Sequence, residues 1–136
     1  MTQDFFMRLY TTEGTVHMAD VLKMVPRRVT KEMNDFLCAP FTEKDVKEAL
    51  FQMGPMKAPG PDGFRTHFFQ KNWDLCGEDL TRVVLKVLNG DASPGDINST
   101  FIVLIPKVQN PVSLGQFRPI SLCNMVYKII SKALAN

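Results

Sequence analysis

The chain has 136 residues, 45% of them hydrophobic, 22% charged and 10% aromatic, with 16 basic against 14 acidic side chains and a formal charge of +2. That mix belongs to a folded globular domain and excludes disordered and fibrous classes, and the length suits a single domain. The near-balance of charge, taken over the whole chain, argues against a protein that coats nucleic acid.

The longest uninterrupted apolar run, Phe101-Ile102-Val103-Leu104-Ile105, is much too short to span a bilayer, so no membrane partner is expected. The start Met1-Thr2-Gln3-Asp4-Phe5-Phe6 carries an acid where a secretory signal needs basic residues. An intracellular location, nuclear or cytoplasmic, follows as the expectation. Three cysteines, Cys38, Cys76 and Cys123, form no CxxC pair and read as buried or idle thiols in a reducing compartment.

In chain order, residues 1–40 read as short helical pieces joined by turns. Phe5, Phe6, Leu9 and Tyr10 cluster at helical spacing before Thr11-Thr12-Glu13-Gly14, and Val21, Leu22 and Val25 cluster before Pro26. A short helix after Thr30 would turn Met33 and Leu37 inward. The next helix, Thr42 to about Met53, is better specified. Thr42 is a good N-cap whose hydroxyl can take an orphan N–H, Phe41 and Val46 are placed for a hydrophobic staple, and Val46, Ala49, Leu50 and Met53 share one face.

The segment Gly54-Pro55-Met56-Lys57-Ala58-Pro59-Gly60-Pro61-Asp62-Gly63-Phe64 is too rich in proline and glycine for helix or central strand, and Pro61-Asp62-Gly63 is turn chemistry. A short helix around His67–Trp73 follows. A second marked helix runs from about Glu78 to Asn89, with Leu80, Val83, Val84, Val87 and Leu88 as its apolar stripe, Glu78 paired to Arg82, and Gly90 ending it. Thr100–Pro106 is a strand apolar on both faces, which reads as buried. Phe117–Leu122 is a second extended piece, and Pro119 within it marks an edge or a bulge. The two can pair as a hairpin. Asn124 then caps a last helix with Val126, Ile129, Ile130, Ala133 and Leu134 inward and Lys128 and Lys132 outward. No helix stop precedes Asn136, so the ending reads as a cut. The fold class expected is α+β, mainly helical with one antiparallel β-hairpin.

Charge is uneven along this layout. From Ile97 to Asn136 the only charged side chains are Lys107, Arg118, Lys128 and Lys132, so this tract carries +4 and the preceding 96 residues −2. A carboxylate-free tract containing the strands suits a polyanion. No nucleophile elbow, Walker loop or HExxH occurs, and His17 and His67 lack metal-ligating companions. The Gly/Pro segment is a poor phosphate cradle, because its prolines remove backbone N–H groups, and it reads as a rigid connector. Lys107 just past the first strand and Arg118 at the start of the second would meet beside the connecting loop, and a lysine with a forked guanidinium can hold a triphosphate.

Three blocks, Lys57-Ala58-Pro59-Gly60-Pro61-Asp62-Gly63-Phe64, Leu104-Ile105-Pro106-Lys107, and Phe117-Arg118-Pro119-Ile120-Ser121-Leu122-Cys123-Asn124 followed by Tyr127-Lys128-Ile129-Ile130-Ser131-Lys132, closely resemble reverse transcriptases of non-LTR (LINE-type) retrotransposons, plant ones especially. The resemblance implies a partial fingers subdomain of a right-hand polymerase fold over residues 41–136, preceded by an N-terminal helical extension over 1–40. It implies that Lys107 and Arg118 neutralise the dNTP triphosphate, that Phe117 and Pro119 shape the hairpin, and that Lys57 lies near the RNA template. In the parent family Mg²⁺ ions are held by palm aspartates, which lie beyond the point matching Asn136, so this chain is expected to hold no metal and to be inactive alone. The alternatives are a small RNA-binding module that uses the basic tract, or a non-functional retroelement relic.

Overall fold

The computed structural model describes residues 2–12, 14, 18–26 and 28–136, except the side chain of Asp96. It is a mixed helix and strand chain of the α+β class. In order come α1 (Thr2–Tyr10), α2 (Met18–Lys23), α3 (Lys31–Leu37), α4 (Glu43–Gln52), α5 (Thr66–Lys71), α6 (Trp73–Leu88), β1 (Thr100–Pro106), β2 (Phe117–Cys123) and α7 (Met125–Leu134). Short 3₁₀ turns at Pro94–Ile97 and Leu114–Gln116 flank β1 and open β2. Among the described residues no helix is long and apolar enough to cross a membrane. Glu13 and His17, both singled out in the sequence, lie outside the described residues.

The core is a triangle of α4, α6 and α7. Val46, Ala49, Leu50 and Met53 of the α4 face are all buried, against Leu80 and Val84 of α6 and Met125, Ile129, Ile130 and Ala133 of α7. Local chemistry starts α4 cleanly. The Thr42 N–H and hydroxyl both donate to Asp45 Oδ2 at 2.7 Å, and Thr42 and Asp45 close as a capping box. Those two donors hold the Asp45 carboxyl below its usual range. A reciprocal pair, Phe41 N–H to Asn89 Oδ1 (3.0 Å) and Asn89 Nδ2 to the Phe41 carbonyl (3.2 Å), ties the entry of α4 to the end of α6. Gly90, with φ +85°, then reverses the chain as expected of a residue just past a helix.

Several expectations need correction. Helix α6 begins at Trp73, five residues before the expected start at Glu78. Its buried stripe runs through Gly77, Leu80, Thr81 and Val84, a face set by Trp73 lying over Gly77, and this turns Val83 outward. Arg82 pairs with Asp79, not with Glu78. Met33 and Leu37 are exposed, because α3 lies outside the triangle and no described residue before Phe41 is buried. In α7 the buried set is Met125, Ile129, Ile130 and Ala133, which leaves Leu134 on the flank, 65% exposed.

The largest departure concerns β1. It pairs antiparallel with β2 from Thr100↔Cys123 to Pro106↔Phe117, as a sheet of two strands only. Among the described residues no layer closes over either face, so Phe101, Val103 and Ile105 stay exposed instead of buried. Ile102 borders an open cavity of about 640 Å³ with Phe6, Met7 and Tyr10 of α1.

The Gly/Pro segment is a clasp between α4 and the β2–α7 junction. Asp62 Oδ2 accepts the Met125 N–H (2.6 Å), so the N-terminus of α7 is capped from 63 residues away. The Asn124 side chain, the expected cap, instead accepts the Asp62 N–H (3.2 Å) and donates to the Ile97 carbonyl (3.4 Å). Lys128 Nζ, expected to face solvent, donates to the Ala58 carbonyl (2.6 Å). Gly60 lies against the Cys123 carbonyl with no room for a Cβ. Replacing Asp62 with Ala removes the cap and should cost about 1–2 kcal/mol in urea unfolding followed by Trp73 fluorescence. Asp62→Asn keeps an acceptor oxygen and should lose less. Equal losses for the two variants would show that the carboxylate oxygen is not what holds α7.

Candidate functional site

The free end of the β1–β2 hairpin brings together two of the cations noted in the sequence, Lys107 and Arg118. Pairing continues one step past Pro106↔Phe117, through the Lys107 N–H to the Gln116 carbonyl (2.8 Å). Alternation then puts Ile105 and Lys107 of one side and Gln116 and Arg118 of the other on the same face. Lys107 and Arg118 are diagonal neighbours there, a spacing of about 7–8 Å. Both side chains are exposed.

The connecting loop is ordered by its own hydrogen bonds. Gln116 Oε1 accepts the Val112 N–H (2.7 Å) and the Ser113 N–H (3.1 Å), and Ser113-Leu114-Gly115-Gln116 closes as a capping box. Asn110 takes the left-handed conformation (φ 51°), which asparagine tolerates. Lys107 Nζ donates to the Gly115 carbonyl (3.0 Å), which leaves two of its three ammonium hydrogens for a ligand. Gln116 was not among the residues read as functional, although the Ser-x-x-Gln spacing that signals its role is plain in the sequence.

Electrostatically this end is positive without compensation. No Asp or Glu occurs after residue 96, and neither Lys107 nor Arg118 forms an ion pair among the described residues. A point-like ammonium and a forked guanidinium on one face can share the oxygens of a polyphosphate. Phe117 and Pro119 are half-buried on the opposite face, paired with Pro106 and Leu104. Pro119 has no N–H to give, which is tolerable in a ribbon where every strand is an edge.

Lys57 does not join this group. Its loop is anchored at the other end of the hairpin, where Gly60 meets Cys123, and Cys123 is five steps along β2 from Arg118, about 17 Å of strand. His67 is exposed on α5, with its backbone N–H bonded to the Pro55 carbonyl (3.0 Å). Cys38, Cys76 and Cys123 are free thiols. Among the described residues no three His, Cys, Asp or Glu side chains come together.

No family model matches the chain. Over 107 residues, 79% of its length, it is 32% identical to a Xenopus laevis protein named transposon TX1 uncharacterized 149 kDa protein, and it spans about 8% of the length of that relative. The chain is thereby related to a transposon-encoded protein.

Proposed function

We propose, starting from this kinship with a transposon protein, that the chain is the fingers segment of a LINE-type reverse transcriptase, with Lys107 and Arg118 holding the triphosphate of an incoming dNTP. The observation that carries the reading is the placement of these two cations on one face of an exposed hairpin, with neither in an ion pair among the described residues. The three sequence blocks resembling that family support it independently. In this role the Gln116-ordered loop fixes the strand ends, Phe117 and Pro119 set the hairpin's shape, and the Gly/Pro clasp seats the hairpin on the helical triangle. Lys57 remains a candidate for contact with an RNA template, by a separate surface. The proposed role is to bind and orient the nucleotide. Nucleotidyl transfer itself needs carboxylates that hold two cations, and no group of three His, Cys, Asp or Glu comes together among the described residues.

Titration of the chain with a fluorescent dNTP should give weak, salt-sensitive binding. Lys107→Ala and Arg118→Ala should each weaken it about tenfold, the scale of one charge-assisted contact to phosphate. If the double variant binds as the parent does, the triphosphate role is wrong. Templated primer extension with Mg²⁺ and dNTPs should give no product from the chain alone, and clear incorporation would overturn that part of the reading.

A further inference from the structure

Asn89 and Gly90 end α6 and are also the one Asn-Gly pair in the sequence. Such a pair carries a reaction of its own. The backbone nitrogen after an asparagine can attack the side-chain carbonyl carbon and close a cyclic imide. A glycine there has no Cβ to obstruct the approach or to restrict the backbone rotation it needs. The other asparagines precede Asp35, Trp73, Ser99, Pro111 and Met125, or stand last in the sequence.

The folded chain keeps the two reacting atoms apart. Asn89 Oδ1 accepts the Phe41 N–H (3.0 Å) and Nδ2 donates to the Phe41 carbonyl (3.2 Å), so the side-chain amide is committed at both ends. The attacking group is engaged as well, because the Gly90 N–H donates to the Val87 carbonyl (3.2 Å). Ring closure needs the Asn89 Cβ and the Gly90 nitrogen on the same side of the Cα–C bond. A ψ of 5° at Asn89 sets them well apart. Both residues are exposed, so these contacts protect the pair and burial does not.

We infer that Asn89 is a deamidation site gated by the fold, closed while the Phe41 clamp holds and reactive when the chain opens. Hydroxide then takes the Gly90 amide proton, and the nitrogen forms a bond to Asn89 Cγ. The Cγ–Nδ2 bond breaks, and ammonia leaves with a hydrogen drawn from water, which restores the hydroxide. Water opens the imide at one carbonyl or the other, giving aspartate or isoaspartate. Neither product can remake the clamp. Aspartate has no donor for the Phe41 carbonyl and puts a negative charge at the negative end of α6. Isoaspartate routes the main chain through the former side chain. Each opening thus converts a share of molecules into forms that refold less well, a chemical route to irreversible unfolding. The site stands apart from the hairpin's proposed grip on dNTP.

The test is peptide mass mapping of the full chain after incubation in mildly alkaline buffer, with and without urea above the unfolding midpoint. Conversion of the Asn89 amide to an acid should run about tenfold faster or more in urea, the factor that two lost hydrogen bonds supply. Leu50→Ala, which leaves the pair intact but raises the unfolded fraction, should speed conversion without urea. Gly90→Ala is read in urea, where its own fold does not matter, and should bring Asn89 down to the rate of Asn98. Asn89→Asp makes one product directly and should lower the urea midpoint, while Asn98→Asp should leave it in place. Equal Asn89 rates with and without urea would remove the gate, and a rate in urea no higher than that of Asn98 would remove the site. Either result overturns the inference, as does an Asn89→Asp midpoint equal to the parent's.

Discussion

Gly60→Ala should lower the stability of the chain by about 3 kcal/mol or more, enough to remove a large share of what a domain of this size has. An alanine methyl there would overlap the Cys123 carbonyl carbon and oxygen and crowd the Asn124 nitrogen at 2.7 Å. All three are backbone atoms, so no change of rotamer relieves the clash. The clasp would have to lift from the β2–α7 junction, and the bonds from Asp62 to Met125 and from Lys128 to Ala58 would go with it. Urea unfolding measures the loss, with Gly54→Ala as the control, because nothing stands within 4 Å of a Cβ at Gly54. A Gly60→Ala midpoint matching that of Gly54→Ala would mean that the loop is not seated as described.

Leu50→Ala should cost about 2–5 kcal/mol, the range for emptying a well-packed leucine site. Leu50 is fully buried and lies in the cluster where α4, α6 and α7 meet. The neighbouring Phe51 is half exposed and touches Trp73 edge-on at 5.9 Å, so Phe51→Ala should cost about 1 kcal/mol despite removing more atoms. Far-UV circular dichroism through a urea titration compares the two without relying on Trp73. If Phe51→Ala proves the more damaging, the rotational phase assigned to α4 is incorrect.

Helix α4 was legible because everything that defines it is local: cap, staple and apolar stripe lie within thirteen residues, 41–53. The start of α6 was hidden by Asn72, which ends α5 and begins α6 at once, and by Gly77, a poor helix former that serves here to fit under Trp73. The burial of β1 was misjudged for a different reason. Apolar residues on both faces of a strand signal burial only where layers exist to cover them, and a two-stranded ribbon has none. The hairpin and the placement of Lys107 and Arg118 at its free end were readable from strand spacing. The role of Asp62 was not, since turn chemistry explains Asp62-Gly63 locally and nothing local points to Met125. Lys57 was implied as a template contact by the resemblance of its block, and the seating of Gly60 on Cys123 sets that block at the other end of the hairpin from Lys107 and Arg118.

The hairpin is anchored at Cys123 and free at Lys107, so mechanically it is a lever. Its arm is about 20 Å long, and a pivot of about 10° at the clasp would carry the two cations by about 3.5 Å, a full hydrogen-bond length. The clasp therefore does more than hold the fold together. The bonds around Gly60, Asp62 and Asn124 set the aim of a charge pair they never touch.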